Sequence, residues 1–377
     1  MRFNRRFKKQ ENKVTGAGEP LFTLTGRVFD IDNGRPVKNA VVKIEALNLV
    51  DTVDAGGVYF FSNLKAGMRN LLLTALNYAA TNKAVALQYD NLNVTQDAQM
   101  VKALGIALEA ELPFEDPSGI WVENTDIFVT RYTRIGGFIH KMDEAMNILQ
   151  TSARISTLTS DQCVASRDTC FWKDDSCHSF IDPDHHFEPD SISVHAKYAH
   201  CEQRLYGLVR INDYFYTSDG IGHYGFVSGI YIPYTDHHFF RLDPSTLTML
   251  EVLTIKDSFD RGVLNLITDL AYDGQAIWLC NKVRNTFPKI RFDNFTAQSL
   301  FASPVSMPSG LAWDGHYLWI MAGNQLYQVH RDLTVRNRYV FSGFPLDQIA
   351  WDGKYMWAIR ASTHHIYKLA LPFGDHL

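Results

Sequence analysis

Several familiar signatures are missing from this chain, and each absence narrows its chemistry. Gln10-Glu11-Asn12-Lys13 stands where a secretory signal would need about 7–15 apolar residues, so no signal peptide is expected. No run approaches the roughly 20 apolar residues of a membrane-spanning helix, so no membrane span is expected. The five cysteines are odd in number and sit at no zinc-finger spacing, so they define no disulfide framework. The sequence has no phosphate-binding glycine loop, Gly-x-Ser-x-Gly elbow or kinase set, and no cofactor is expected. A net charge of −5 gives no global attraction to nucleic acid. What the chain does have is 13% aromatic residues and 24 glycines, a balance that leans toward β structure.

A phrase recurs in the second half. Ala271-Tyr272-Asp273-Gly274 is followed four residues on by Trp278. The phrase returns as Ala312-Trp313-Asp314-Gly315 with Trp319, and as Ala350-Trp351-Asp352-Gly353 with Trp357. The starts lie 41 and 38 residues apart, a period that suits one four-stranded propeller blade. Chemically, an apolar run enters a tight Asp-Gly turn and leaves as an aromatic strand, which is a hairpin signal. Weaker copies run backward through Gly207 to Tyr216, Cys163 to Trp172 and Gly119 to Phe128. Six repeats predict an all-β, six-bladed propeller over 103–377. The last repeat runs out of chain after Leu371-Pro372, and Leu104–Leu112 is a spare strand that would complete it and seal the ring. The Trp-Asp-Gly repeats resemble those of streptogramin-lyase-like propellers.

Ahead of the repeats, short alternating strands with turn signals over 21–100 predict a β-sandwich of the Ig/transthyretin-like kind. Gly26-x-Val28 with Asp30, Gly34-x-Pro36-Val37-x-x-Ala40-x-Val42, Gly57-x-Tyr59-x-Phe61 and Leu64-x-x-Gly67 carry the pattern. In these residues the segment resembles the carboxypeptidase regulatory-like (Cna-B-type) domain. That resemblance implies a spacer or adhesion module without catalytic activity. It departs from the family at Asn70 and Asn77, where an aromatic and a glycine are usual. Residues 1–20 form a basic arm in which Arg2, Arg5, Arg6, Lys8, Lys9 and Lys13 face only Glu11 up to Val14. It reads either as a solvated tail or as a docking arm for an acidic partner.

Candidate sites follow from the repeat plan. The third repeat carries extra residues between Tyr216 and Asp243, among them His223, Tyr224, Phe226, Tyr231 and Tyr234. Glycine-spaced aromatics on a connection suit a partner-binding loop, although a self-packed cap is the competing reading. Inner strands begin near Gln162, Tyr206, Asp269, Ser309 and Asp347, and Asp269 and Asp347 are hard oxygen donors that could serve a metal in the channel. Five histidines within residues 178–200, including His185 and His186, are a weaker metal candidate with no fixed helical offset. Cys170 and Cys177 flank a hairpin and could bridge if its tip is Lys173-Asp174, but not if it is Asp174-Asp175.

A sandwich joined to a propeller is a display architecture, and no catalytic set is evident. The expected function is structural: a bacteriophage virion component (tail, neck, baseplate or capsid accessory) that assembles in the host cytoplasm within a larger oligomeric assembly. Its expected partners are other virion or surface proteins, with a host-surface glycan or receptor as a further option. The rivals are a metal-dependent lactonase or lyase acting in the channel, and a glycan-binding surface protein.

Overall fold

A computed structural model describes residues 20–88, 91–133, 136–156, 170–173, 176–179, 205–219, 224–227, 230–233, 238–255, 267–341 and 343–372. The chain is all-β and divides into two compact units, Met1–Lys102 and Ala103–Leu377. Among the described residues no helix is long and apolar enough to cross a membrane.

The first unit is a β-sandwich. Its strands are β1 (Phe22–Asp30), β2 (Val41–Ile44), β3 (Leu49–Thr52), β4 (Val58–Leu64), β5 (Gly67–Thr74), β6 (Thr81–Leu87), β7 (Asn93–Thr95) and β8 (Ala98–Met100). One sheet runs β3-β2-β5-β6; the other runs β4-β1-β7, with β8 also pairing with β1. Alternate residues of β1 (Phe22, Leu24, Val28) point inward with Val42, Ile44, Tyr59, Leu71 and Leu73 to make one core. The glycine pattern has a steric cause. A Cβ on Gly26 would stand 1.9 Å from the Gln96 carbonyl oxygen, and Gly57 combines φ +80° with a 2.6 Å approach to the Val28 carbonyl. Buried Asp30 folds the turn after β1 by accepting the N–H groups of Asp32 and Asn33, and it accepts the Tyr78 hydroxyl at 2.8 Å.

The second unit is a propeller of four-stranded antiparallel sheets. Sheet I comprises Pro117–Glu123, Asp126–Thr133, Gly136–Met142 and Ile148–Thr151. Sheet II comprises Tyr206–Ile211, Tyr214–Ser218, His238–Leu242 and Met249–Thr254. Sheet III comprises Ile267–Tyr272, Ala276–Asn281, Thr286–Arg291 and Ala297–Ala302. Sheet IV comprises Gly310–Trp313, Leu318–Ala322, Gln325–Val329 and Val335–Val340. Sheet V has Ile349–Trp351, Met356–Arg360 and His365–Ala370 from the end of the chain. Its fourth strand is Gly105–Glu111, which pairs antiparallel with His365–Ala370. The spare strand therefore closes the ring as anticipated, and sheet V gains its outer strand from the start of the unit.

Among the described residues of the second unit five four-stranded sheets are present, where six were expected; most of the second expected repeat falls outside them. Five apolar seams join the described sheets in a cycle. Val209 and Tyr216 meet Leu270 and Ile277; Trp278 meets Leu311 and Leu318; Trp319 meets Ile349 and Met356; Trp357 and Ile359 meet Ile127 and Val129. The fifth seam packs sheet I directly on sheet II, with Phe128 and Ile139 against Phe215 and Phe240, and the Phe128 and Phe215 ring centroids 4.7 Å apart. Gly119 lies so close to Gly207 that an added Cβ would stand 2.7 Å from its Cα. Of the expected second repeat, the described residues form only the hairpin Cys170–Lys173 with Ser176–Ser179.

The recurring phrase builds a bracket. In sheet III, Asp273 Oδ1 accepts the N–H groups of Gln275 and Ala276 at 2.9 and 2.8 Å, while Oδ2 accepts the indole N–H of Trp278 at 2.9 Å. Asp314 makes the same three bonds to His316, Tyr317 and Trp319, and Asp352 to Lys354, Tyr355 and Trp357. One carboxylate shapes the turn and satisfies the donor of a tryptophan buried in the adjoining seam. Gly274, Gly315 and Gly353 supply the left-handed corners at φ +88°, +101° and +96°. Burial opposes ionisation of Asp273, but bonds from Trp278, Ala276 and Gln275 and the charge of Lys289 hold it below the usual carboxylate range. Across the strands the same aromatic position faces Lys141, Arg241, Lys289, Gln328 or Lys368. Lys289 lies 4.6 Å from the Trp278 ring centroid and Lys368 4.9 Å from that of Trp357, a cation–π contact.

Removing one bracket strands a buried indole donor. Asp314→Ala is expected to lower the unfolding free energy of the propeller by about 2–3 kcal/mol in urea titrations. A loss no larger than that of the exposed control Asp332→Ala would contradict the bracket's role.

Candidate functional site

The axis of the ring is the natural place for a channel site. Aligned on the bracketed aromatics, the inner strands place Gly119, Gly207, Asp269, Gly310 and Gln348 at one level. Three of the five are glycines, and each meets its neighbouring strand too closely for a side chain: Gly119 against Gly207, Gly207 against Leu270, and Gly310 against Asp347 and Gln348. The strands converge because those positions lack a Cβ.

Asp269 is the exception, and its carboxylate occupies the convergence. Oδ1 accepts the N–H of Leu270 at 2.9 Å. Oδ2 accepts the N–H of Leu311 in sheet IV at 2.9 Å and that of Ile349 in sheet V at 3.3 Å. One side chain thus ties three sheets together at the hub. Full burial pushes this carboxyl up to about 8, against the three N–H bonds that favour its ionised form. Asp347 lies one strand away, half-buried, with Oδ2 accepting the N–H of Ala361 at 2.9 Å. Among the described residues no group of three or more His, Cys, Asp or Glu side chains is gathered for a metal. Both oxygens of Asp269 are engaged by backbone, so its geometry is that of a structural tie.

A pocket of about 360 Å³ lies at the edge of sheet III, lined by Gln275, Lys289, Arg291, Phe292, Asp293 and Gln298. Its charges are paired: Arg291 with Asp293, and Lys289 with Asp273 at 3.2 Å.

The insertion in sheet II has a defined neck. The Asp219 N–H donates to the His238 carbonyl at 3.2 Å, and the His238 N–H donates back to Asp219 Oδ1 at 2.7 Å. His238 Nδ1 and Asp219 Oδ2 are also 2.7 Å apart. Asp219 is buried. The two ends of an 18-residue excursion are therefore pinned by a reciprocal backbone and side-chain clasp. Beyond the neck, Tyr224–Val227 pairs antiparallel with Ile230–Pro233, placing Tyr224 opposite Pro233 and Phe226 opposite Tyr231. The expected loop is in this part a β-hairpin bearing Tyr224, Phe226 and Tyr231; His223 and Tyr234 lie outside the described residues. So do the arm residues Arg2, Arg5, Arg6, Lys8 and Lys9, and His185 and His186. The hairpin of Cys170 and Cys177 turns between Lys173 and Ser176, pairing Cys170 with Ser179 and Trp172 with Cys177. This is the register in which the two cysteines are not cross-strand partners.

Sequence reasoning missed the Asp219–His238 clasp. The pair is 19 residues apart with no motif at that spacing, and its only trace is that it bounds the extra length of the third repeat.

Residues 23–101 match the carboxypeptidase regulatory-like domain family, in agreement with the sandwich. No curated protein sequence matches the chain. Among solved structures, the chain is similar to a glutaminyl cyclase of Myxococcus xanthus at 9% identity and TM-score 0.46, covering 71% of this chain and 95% of that one. It is similar to virginiamycin B lyase of Staphylococcus aureus at 11% identity and TM-score 0.34, covering 93% and 99%. BamB of Moraxella catarrhalis gives 11% identity and TM-score 0.31, covering 92% and 84%. Likeness at this level transfers no activity.

If the Asp269 carboxyl is raised as its burial dictates, its folded pKa exceeds the unfolded value. Its contribution to stability is then full below about pH 4 and is lost as pH rises through about 8. Relative to Asp269→Asn, the wild-type propeller should lose stability from pH 5 to pH 9, by at most about 1.4 kcal/mol per pH unit. Parallel pH profiles for the two proteins in urea titrations would show that the carboxyl does not titrate there.

Proposed function

We propose that this chain is a structural attachment protein, a component of a bacteriophage particle, whose propeller serves as an interaction platform. The observation that carries the reading is the clasped hairpin on sheet II. A reciprocal Asp219–His238 neck holds out an excursion whose described strands bear Tyr224, Phe226 and Tyr231. Tyrosine and phenylalanine give large contact area for little rotamer entropy, which suits protein and glycan partners. The state of the axis agrees with this reading: the carboxylate best placed for channel chemistry is bonded to the backbone of three sheets.

In this reading the basic arm and the sandwich dock on the particle. The hairpin faces a neighbouring virion subunit or a host-surface receptor or glycan. The protein needs no cofactor for that role and works in many copies on a symmetric assembly, formed in the host cytoplasm. A propeller presents a broad, rigid surface with few exposed sheet edges, which favours repeated contacts without uncontrolled association.

Two variants test it. Deleting residues 1–20 should abolish incorporation into particles, measured by sedimentation and immunoblotting. Replacing residues 220–237 by a short Gly-Ser linker should leave incorporation intact but reduce adsorption to host cells at least tenfold, or, where the partner is a virion subunit, block the next assembly step. Wild-type incorporation of the arm deletion together with wild-type infectivity of the linker variant would refute the reading.

A further inference from the structure

The sandwich has an apolar edge that none of the described residues covers. Strand β3 ends its sheet, pairing only with β2, and β4 ends the facing sheet on the same side. Phe60 donates its N–H to Asp51 Oδ2, so the two edge strands meet at one corner. Around that corner Leu47, Leu49, Val50 and Phe60 are 43%, 38%, 57% and 56% exposed. The β2–β3 ladder fixes the direction of the free backbone groups. The Val53 N–H bonds to the Ala40 carbonyl, and the alternation of an antiparallel pair then turns the N–H and C=O of Val50 and Thr52 outward. An exposed strand edge with apolar side chains is a template for another strand. Glu45, Asp51 and Asp54 lie on or beside β3 in the chain, and Lys43 on β2 is paired opposite Val50.

We infer that the chain's own N-terminal arm, residues 2–9, adds to β3 as an extra strand and covers this edge in the free protein. Three observations fit the occupant to the surface. The arm carries Arg2, Arg5, Arg6, Lys8 and Lys9 and no carboxylate before Glu11, which complements the carboxylates on and beside β3. Phe3 and Phe7 are four residues apart, so an extended strand places both on one face, where they can flank Leu49. The tether is long enough. Thirteen steps separate Lys9 from Phe22, a reach of up to about 45 Å. Phe22 begins β1, whose Thr25 is the direct partner of Phe60 on the edge strand β4. A short tether raises the local concentration of the arm to about the millimolar range, which favours its own sandwich over that of a second copy.

This inference stands apart from the particle reading, because it concerns the isolated subunit. Hydrogen exchange followed at the Val50 and Thr52 amides provides the test, in 50 mM NaCl. Both amides should exchange at least tenfold more slowly in the full chain than in a deletion of residues 2–9. The double variant Glu45→Lys, Asp54→Lys in the full chain should recover much of the fast exchange, as should 0.5 M NaCl, where screening is stronger. Equal exchange in full and truncated chains would overturn the inference. Protection that grows with protein concentration and accompanies a dimer in sedimentation would overturn it too, by assigning the edge to a second copy.

Discussion

An aspartate that accepts two turn amides and one indole N–H is the interaction on which the propeller rests. A tight turn between the first two strands of a sheet leaves backbone donors without ladder partners, and a tryptophan pressed into a seam brings a further donor into an apolar setting. Leaving such groups unpaired costs about 1–3 kcal/mol each. Asp273, Asp314 and Asp352 satisfy all three donors with the two oxygens of one side chain. The bracket sets the turn and fixes the rotamer of the large residue that fills the gap to the next sheet. Local conformation and tertiary packing are specified together, which explains why the phrase repeats as a unit.

Sheets I and II hold their seam differently. Their aromatics at the equivalent position are Phe128 and Tyr216, neither of which has an indole to bracket. Their contact relies on ring packing and on an ion pair from Arg210 to Glu123. Close approach at the hub then depends on glycine. Gly119 and Gly207 remove the side chains that would hold the inner strands apart, and Gly207 also needs φ +63°. Asp269 uses the same convergence in the opposite sense. Where the strands come close enough for a carboxylate to reach amides in two neighbouring sheets, one polar side chain replaces apolar filling at the hub.

Much of this was legible in the sequence. The three Asp-Gly phrases located sheets III, IV and V, and the truncated last repeat pointed to Gly105–Glu111 as its missing strand. The alternating pattern with Gly26, Asp30 and Gly57 identified the sandwich. Spacing alone said less: Trp172 falls at the right interval but is not preceded by an Asp-Gly turn, and most of its repeat lies outside the described residues. The backbone role of Asp269 was not legible for a related reason. An acidic residue at the start of an inner strand has the same letter whether it faces a metal or three backbone amides, and only convergence of the strands decides between them. The Asp219–His238 clasp was invisible because its two members are joined through a ladder that the insertion interrupts.

The clasp has a consequence for how an excursion can be used. An insertion of 18 residues attached by two independent strand ends would splay the sheet that bears it, since every motion of its tip would pull on Ser218 and Phe239 separately. The Asp219 N–H bond to the His238 carbonyl and the His238 N–H bond back to Asp219 Oδ1, reinforced by the carboxylate–imidazole contact, make the two ends move as one. Forces on the tip then reach sheet II as a rigid-body load shared by Phe239 and Phe240, which are buried in two different seams. The clasp thus joins the base of the excursion to sheet II through two residues, one of them buried.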